Sequence, residues 1–370
     1  MKKTNYLLLL SLFLAFVSGS AQDFKIYVSD AGNFNNPPWQ LLMFDENGDN
    51  PQQITTENLA WPQDILFLED QDAMLVSNLN TGEITKYDAN SGDFQSNFAS
   101  GIGGPTRMKI GPDNLIYVLQ WQGNGTVFTY EQDGTFAGEF TTVGVNQSIG
   151  LDWDSNGNLY VSSFGGASVR KFDTTGADQG LFIDSNLQGP TNIFFDDNDN
   201  LYVLDWTAGN VKKFDSNGTF MEIFIDGLSQ PEGVDFYPNG NILIGDGGTG
   251  AVKLFDSEGM FIEDIVTAGD GNLLQPNAVV LRDATLNIPD YDKDNILVTP
   301  TIGDQFLIEP ATLDTFRSLQ VFDISGKKIA IIDLTSTNMW SASNLKEGIY
   351  FLLASNPNKK VTQKIVVKKK

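Results

Sequence analysis

The sequence contains no cysteine and no histidine among its 370 residues. Without cysteine, the chain has no disulfide bonds, no thiolate metal sites and no cysteine nucleophile. Without histidine, serine–histidine–aspartate triads, zinc sites of the HExxH type and histidine general bases are excluded as well. Any catalysis would therefore depend on carboxylates, lysine, tyrosine, serine or a bound cation.

Basic residues are scarce in most of the chain. Residues 22–284 contain 38 acidic and 10 basic residues, a net charge of −28 (10 − 38), whereas residues 285–370 contain 9 acidic and 11 basic residues. An acidic surface repels phosphate backbones and anionic lipids, so we do not expect nucleic acid as a partner. Two interpretations stay open: the carboxylates bind hard cations, or they keep a secreted surface soluble.

Long apolar runs are also missing, apart from residues 6–17. Lys2 and Lys3 precede this run, and the small residues Ser18-Gly19-Ser20-Ala21 follow it. This pattern predicts a secretory signal peptide over residues 1–21. The run is shorter than the roughly 20 residues that a membrane-spanning helix needs, so we expect no transmembrane anchor in the mature chain.

A repeat of about 42 residues organises the region after the signal peptide. An aromatic residue followed by an acid recurs in the repeat, for example Phe44-Asp45 and Phe172-Asp173. Strand-like triplets end at Val28, Val76, Val118, Val161, Val203 and Ile244. This period is typical of the four-stranded blades of β-propellers, and no segment has the pattern of a long amphipathic helix. The sequence therefore predicts an all-β fold.

A third repeated element opens each unit, as in the sequences WPQDILF from Trp61 and QPEGVDF from Gln230. The last copy, from Gln275, is followed by no triplet, whereas Phe24 begins directly at a triplet. Pairing of these two ends would complete one blade and remove exposed strand edges. The predicted fold is a six-bladed β-propeller over residues 22–285, followed by a separate C-terminal β-sandwich.

These repeats resemble NHL-repeat propellers and the related senescence-marker/gluconolactonase family, over residues 24–284. In the latter family, one Glu, two Asn and one Asp hold a divalent cation in the channel, and such oxygen ligands suit Ca²⁺. In this chain, Ile149 takes the place of one asparagine ligand, and Glu232 takes the place of the aspartate. The resemblance therefore implies Ca²⁺ as the candidate cofactor of an altered site, and Ile149 argues against the lactonase chemistry of the family.

The 42-residue period stops at a polar linker predicted over residues 286–295. The region 296–370 contains LQVFDISGKKIAIIDL from Leu319, the step Gly348-Ile349-Tyr350 and a closing basic strand near Lys364. This succession resembles the type A C-terminal sorting domain of the type IX secretion system of Bacteroidota, an immunoglobulin-like β-sandwich. The resemblance implies export through the periplasm and the outer membrane, with the secretion machinery as partner and a final location in the medium or on the cell surface.

Candidate site residues follow from the register of a propeller, in which the start of the first strand and the end of the second strand reach the same face of the channel. A mostly polar, acidic collar flanked by aromatic residues is expected there, and such concave surfaces are the default binding sites. The candidate ligand-binding residues are Asp64, Arg107, Trp121, Phe164, Asn192, Trp206 and Asn277. The candidate cation ligands are Asp205, Glu232 and Asp246.

Two groups of these assignments have a structural alternative. Asp205 and Asp246 could instead accept hydrogen bonds from the following turn, and the aromatic residues could pack between blades. Arg107 is the one cation that the register places near the collar, where it could pair with Glu232 or Asp64.

The leading hypothesis for function is an extracellular recognition protein without enzymatic activity, which binds a small molecule, a glycan or a protein at the channel mouth. The alternative is a hydrolase or lactonase that depends on a divalent cation. A third hypothesis is a surface scaffold without any small-molecule site.

Overall fold

The computed structural model describes residues 24–34, 36–283, 296–323, 327–335, 338–356 and 360–369. The chain divides into two compact units, residues 1–284 and 285–370. The predicted signal peptide and the predicted linker over residues 286–295 lie outside the described residues. In the parts that are described, no helix is long and apolar enough to span a membrane.

The first unit is built from six antiparallel sheets of four strands each. The first sheet contains β1 (Phe24–Asp30), β2 (Gln40–Asp45), β3 (Gln52–Thr55) and β24 (Pro276–Asp283). The second contains β4 (Pro62–Leu68), β5 (Ala73–Asn78), β6 (Glu83–Asp88) and β7 (Phe94–Ser100). The third contains β8 (Pro105–Ile110), β9 (Ile116–Gln120), β10 (Phe128–Tyr130) and β11 (Phe136–Glu139).

The other three sheets repeat the same order along the chain. The fourth contains β12 (Ser148–Trp153), β13 (Leu159–Ser163), β14 (Ser168–Phe172) and β15 (Asp178–Ile183). The fifth contains β16 (Pro190–Phe195), β17 (Leu201–Asp205), β18 (Asn210–Phe214) and β19 (Phe220–Ile225). The sixth contains β20 (Pro231–Phe236), β21 (Ile242–Asp246), β22 (Ala251–Phe255) and β23 (Phe261–Val266). Two short 3₁₀ turns, Glu69–Gln71 and Asp270–Asn272, lie in connections.

The two ends of the repeat region pair with each other, as the sequence predicts. Strand β24 runs antiparallel to β1, with Val280 opposite Tyr27 and Asp283 opposite Phe24. The first strands of the six sheets (β24, β4, β8, β12, β16 and β20) contact one another in a closed cycle. The first unit is therefore a propeller-like ring.

The apolar core lies between successive sheets and explains the repeated triplets. Ile26 and Val28 of β1 pack with Leu243 of the sixth sheet, whereas Tyr27, which points to the opposite face, packs with Met74 of the second sheet. A strand that is buried on both faces needs consecutive apolar residues rather than an alternating pattern. The repeated acid has a different role: the carboxylate of Asp215 accepts hydrogen bonds from the N–H groups of Asn217 and Thr219 and so fixes a hairpin turn.

A bulge occurs near the start of the first strand in every sheet. The pairing register shifts there in all six sheets, for example between Pro231 and Val234 in β20. A bulge inserts an unpaired residue and redirects the side chains next to it. In β20, this irregularity covers Glu232 and Gly233, the residues on which the channel lining depends.

The second unit contains two sheets and one short helix, α1 (Pro310–Thr315). One sheet has β25 (Val298–Thr299), β27 (Gln305–Ile308) and β30 (Met339–Ser341) in the order β25-β27-β30. The other has β26 (Ile302–Gly303), β28 (Ser318–Asp323), β29 (Lys328–Asp333), β31 (Gly348–Ser355) and β32 (Lys360–Val367) in the order β26-β32-β31-β28-β29. Phe306 of the smaller sheet and Leu319, Leu352 and Ile365 of the larger sheet share one buried core. The expected C-terminal β-domain is present.

Candidate functional site

A cavity of about 210 Å³ opens at the start of the first strands, and we call it the mouth cavity. Its walls are mainly aromatic, and its polar residues are few. It is lined by Phe34, Trp61, Gln63, Leu79, Trp121, Ile149, Phe164, Thr191, Trp206 and Glu232. The three aromatic residues that the sequence predicts at the channel mouth all belong to this lining.

One wall is built by Trp121, Phe164 and Trp206, each of which directly follows the second strand of its sheet. Their N–H groups donate to the carbonyl oxygens of the residues just before the first strand, at distances of 2.8 to 3.0 Å. Because the same backbone bond recurs in three successive sheets, the rings stand side by side. The ring centroids of Trp121 and Phe164 are 5.5 Å apart, and those of Phe164 and Trp206 are 5.8 Å apart.

The opposite wall consists of residues that the sequence analysis missed. Phe34 and Trp61 contact edge to face at 5.5 Å, and Leu79 lies beside them in the lining. Leu79 occupies the same register position as Trp121, and Trp61 immediately precedes the first strand, so the repeat pattern could have revealed both. Phe34 comes from the connection between β1 and β2, for which the repeat gives no signal.

The floor comes from the second residue of four of the first strands: Gln63, Ile149, Thr191 and Glu232. The second residues of the other two first strands, Thr106 and Asn277, are not part of the lining. Asn277 is buried, and its side-chain oxygen has no hydrogen-bond partner among the described residues. The floor is thus partly polar, with Glu232 as its acidic side chain.

Arg107 joins Glu232 to Asp64, as the sequence analysis suggested. Nη2 of Arg107 lies 3.1 Å from Oε1 of Glu232, and Nη1 lies 3.8 Å from Oδ1 of Asp64. The guanidinium group also donates to the carbonyl oxygens of Gln63 and Asn277. We call Asp64, Arg107 and Glu232 the buried ion cluster.

Burial changes the acidity of both carboxyl groups in this cluster. Desolvation raises the pKa of Glu232 to about 7; Arg107 opposes this shift, and Asp64 adds to it. Desolvation also raises the pKa of Asp64 to about 6, against the lowering effect of Arg107. Loss of water disfavours the charged form of a carboxyl group, so a single guanidinium group does not fully compensate two buried carboxylates.

A second cavity, of about 260 Å³, is lined by later residues of the same first strands, and we call it the inner cavity. It has charged and aliphatic walls. Its lining includes Asp64, Ile65, Arg107, Lys109, Leu151, Asn192, Phe194, Asp235 and Val280. The structure therefore places Asp64, Arg107 and Asn192, which were expected at the mouth, in the inner cavity, because the bulge turns the third residue of each strand away from the second.

The three candidate cation ligands are not brought together. No group of three or more acidic side chains in the described residues could hold a metal ion. Each candidate instead lies near a basic side chain: Glu232 near Arg107, Asp205 near Lys212 at 2.8 Å, and Asp246 near Lys253 at 3.6 Å. This donor set does not fit the predicted calcium site.

Asp205 and Asp246 instead serve the structural role that the sequence left open. Asp205 accepts hydrogen bonds from the N–H groups of Gln188, Gly189 and Ala208, and Asp246 accepts one from Ser229 N–H at 2.6 Å. The side chain at this position, the last residue of the second strand, bonds to the segment before the first strand in all six sheets. Neither aspartate lines the mouth cavity.

Comparison with known families concerns the second unit. Residues 300–368 match the model of the secretion system C-terminal sorting domain. Residues 300–368 form a sorting domain. It indicates export by the type IX secretion system to the cell surface or the medium, which agrees with the sequence-based prediction. No curated protein sequence matches this chain significantly.

Solved structures resemble the fold at low sequence identity. One chain of a crystal structure of a nidogen/laminin complex superposes with a TM-score of 0.58 and 13% identity, covering 70% of this chain and 98% of that chain. A protein of unknown function from Bacteroides caccae gives a TM-score of 0.57 and 16% identity, with the same coverage. These likenesses support a propeller-like fold and carry no information about activity.

Proposed function

We propose that the six sheets are the six blades of a propeller of the NHL type, and that this exported protein binds a small molecule in its mouth cavity. The observation that carries the proposal is the lining of this cavity. Five half-buried aromatic side chains stand around a floor that includes Gln63, Thr191 and Glu232. Small-molecule sites typically combine apolar walls with a few polar groups that fix the orientation of the ligand.

The aromatic walls favour binding because exposed ring faces gain free energy when a ligand removes them from water, at about 25 cal/mol per Å² of apolar surface. The rings are held by the backbone bonds of the propeller and by a tilted and an edge-to-face contact with one another, so little conformational entropy is lost when a ligand enters. A preformed apolar cavity of this kind suits a compact ligand with a flat or rounded apolar face.

The enzymatic alternative, a cation-dependent hydrolase, has less support. Such an enzyme needs a cation with open coordination positions beside the substrate. Each of the three candidate ligands lies near a basic side chain: Asp205 near Lys212, Asp246 near Lys253 and Glu232 near Arg107. In addition, the apolar Ile149 lies in the floor, at the position where the gluconolactonase-like family has a ligand. Calcium binding stays a prediction, which a shift of the melting temperature in calcium chloride would test.

The proposal is tested by measuring the melting temperature of the full mature protein against a panel of sugars, amines, amino acids and aromatic acids. We expect at least one compound class to raise the melting temperature, because a ligand that binds only the folded state stabilises it. The Trp206→Ala variant should lose this response, whereas Phe136→Ala, a control on an exposed outer strand, should keep it. A response that survives Trp206→Ala would contradict binding in the mouth cavity.

A further inference from the structure

The mouth cavity combines aromatic walls with a carboxylate that is nine-tenths buried. We propose that its ligand carries an organic cation, an ammonium or quaternary ammonium group, held against the rings of Trp121, Phe164 and Trp206 and balanced by Glu232. This inference rests on the proposed function and names the chemical class of the ligand.

The charge balance of the buried ion cluster favours a cationic ligand. Asp64 and Glu232 supply two carboxyl groups, and Arg107 supplies one guanidinium group. All three residues are at most 8% exposed, so solvent does little to compensate the difference. Lys109, the next basic residue along β8, also lowers the pKa of Asp64, but it does so less than Arg107 and is bonded to Asp152 at 2.5 Å. A cationic ligand in the mouth would give the cluster two positive charges for two negative ones.

The geometry of Glu232 also favours a cationic ligand. Its Oε1 accepts the hydrogen bond from Arg107, and no described residue donates to its Oε2. The side chain is part of the floor of the mouth cavity, opposite the opening. A carboxylate with one satisfied and one free oxygen beside a cavity can accept a charge-assisted hydrogen bond or ion pair from a ligand.

The aromatic rings of the mouth cavity can attract a cation as well. The faces of tryptophan and phenylalanine attract cations through the ring quadrupole, and the attraction grows when water is excluded. The rings of Trp121, Phe164 and Trp206 are half-buried, contact one another in sequence and belong to the lining of the mouth cavity. Among the described residues, no basic side chain lines the mouth cavity; Arg107, 3.1 Å from Glu232, lines the inner cavity instead.

Long-range electrostatics point in the same direction. Residues 22–284 carry a net charge of −28 (10 basic minus 38 acidic residues), which attracts cations to the domain and repels anions. A neutral ligand such as a sugar would gain nothing from this field and would leave the charge of the ion cluster unbalanced. The mouth lining also offers few hydrogen-bonding groups for several hydroxyl groups.

The test compares two probes of the same shape, choline and 3,3-dimethyl-1-butanol, which differ by a positive nitrogen in place of a carbon. Binding to the full mature protein is followed by calorimetry at about pH 8, above the pKa of Glu232 of about 7. We expect choline to bind about tenfold more tightly than the neutral probe. Glu232→Gln should reduce this preference to the part that the rings supply and leave the neutral probe unaffected, whereas Glu222→Gln, on the outer strand β19, should change neither.

A second variant guards against a folding defect in Glu232→Gln. Asp64→Asn removes one negative charge from the cluster without altering the mouth lining, and we expect it to weaken choline binding while the neutral probe binds as before. Equal binding of the two probes, with no effect of either variant, would overturn the cation inference but leave the mouth as a binding site. If neither probe binds at millimolar concentrations, the cation inference also fails, and the compound panel then decides separately whether the mouth binds any ligand.

Discussion

The mouth cavity and the inner cavity are lined by the same strands, yet their chemistry differs. The mouth takes the second residue of several first strands and adds aromatic residues from the connections, whereas the inner cavity takes the third and later residues. The mouth is an aromatic cup with one carboxylate; the inner cavity holds charged residues such as Asp64, Arg107, Lys109 and Asp235.

The positions that form the core and the positions that line the mouth cavity differ in how far they vary between the repeats. Positions that face neighbouring sheets carry apolar residues, such as Ile26, Met74 and Leu243, because the core between sheets requires them. The position after the second strand has no such constraint: it is Ala31, Leu79, Trp121, Phe164, Trp206 or Gly247 in the six sheets. Function in this fold can therefore change through a few positions at one end of the channel.

Removal of Arg107 should affect both cavities and gives the largest expected effect. Arg107→Ala leaves two buried carboxyl groups without their guanidinium partner, and we expect the free energy of unfolding to fall by about 3–5 kcal/mol. Arg170→Ala removes a partly exposed ion pair with Asp178, and we expect a loss of at most about 1 kcal/mol. Urea denaturation measures both. If the two variants lose similar stability, the two buried carboxyl groups do not depend on Arg107 as described.

The pH dependence of stability distinguishes the charge of the cluster from its packing. Folding raises the pKa of Glu232 from 4.5 to about 7 and that of Asp64 from 3.8 to about 6, so the native state binds more protons than the unfolded state between these values. The stabilisation that comes from these two carboxyl groups is complete below their ordinary pKa values. It is lost as the pH rises through their raised pKa values in the folded state.

We therefore expect the free energy of unfolding to fall by about 4 kcal/mol between pH 5 and pH 8, of which Glu232 supplies the larger part. Glu232→Gln should flatten this profile, because the variant has no charge to bury at that position. Urea denaturation of both proteins across the range provides the measurement. A profile of the same slope in both proteins would show that Glu232 does not titrate as described.

Two aromatic substitutions, one in the inner cavity and one in the mouth cavity, compare the roles of the two cavities in stability and in binding. Phe194 lines the inner cavity and stacks on Tyr202 at 4.8 Å, so Phe194→Ala should lower the free energy of unfolding by about 2–3 kcal/mol without affecting choline binding. Trp206→Ala at the mouth should cost only about 1 kcal/mol but abolish choline binding. The reverse result, with binding lost in Phe194→Ala alone, would place the binding site in the inner cavity.

The fold could be predicted from the sequence because its determinants repeat. The triplets and the aromatic–acid steps mark strands and turns, and the unpaired copies at Phe24 and Gln275 indicate the pairing of β1 with β24. Bulges carry no comparable sequence signal. For this reason the predicted register placed Asn192 and Asp64 at the mouth, whereas the structure places them in the inner cavity.

The site could be predicted in part. The position after the second strand identified Trp121, Phe164 and Trp206, and the single cation near the channel identified the pairing of Arg107 with Glu232. The roles of Asp205 and Asp246 depend on which N–H groups and which lysines come near, and these are long-range contacts. Phe34 lies in a connection outside the repeat and could not be inferred.

The most direct test of the account is a crystal structure of the mature protein soaked with (2-bromoethyl)trimethylammonium, whose bromine gives an anomalous signal. The account predicts an anomalous peak in the mouth cavity, with the trimethylammonium group against the rings of Trp121, Phe164 and Trp206 and beside Oε2 of Glu232. A peak in the inner cavity, or an empty mouth at a saturating concentration of the probe, would contradict it.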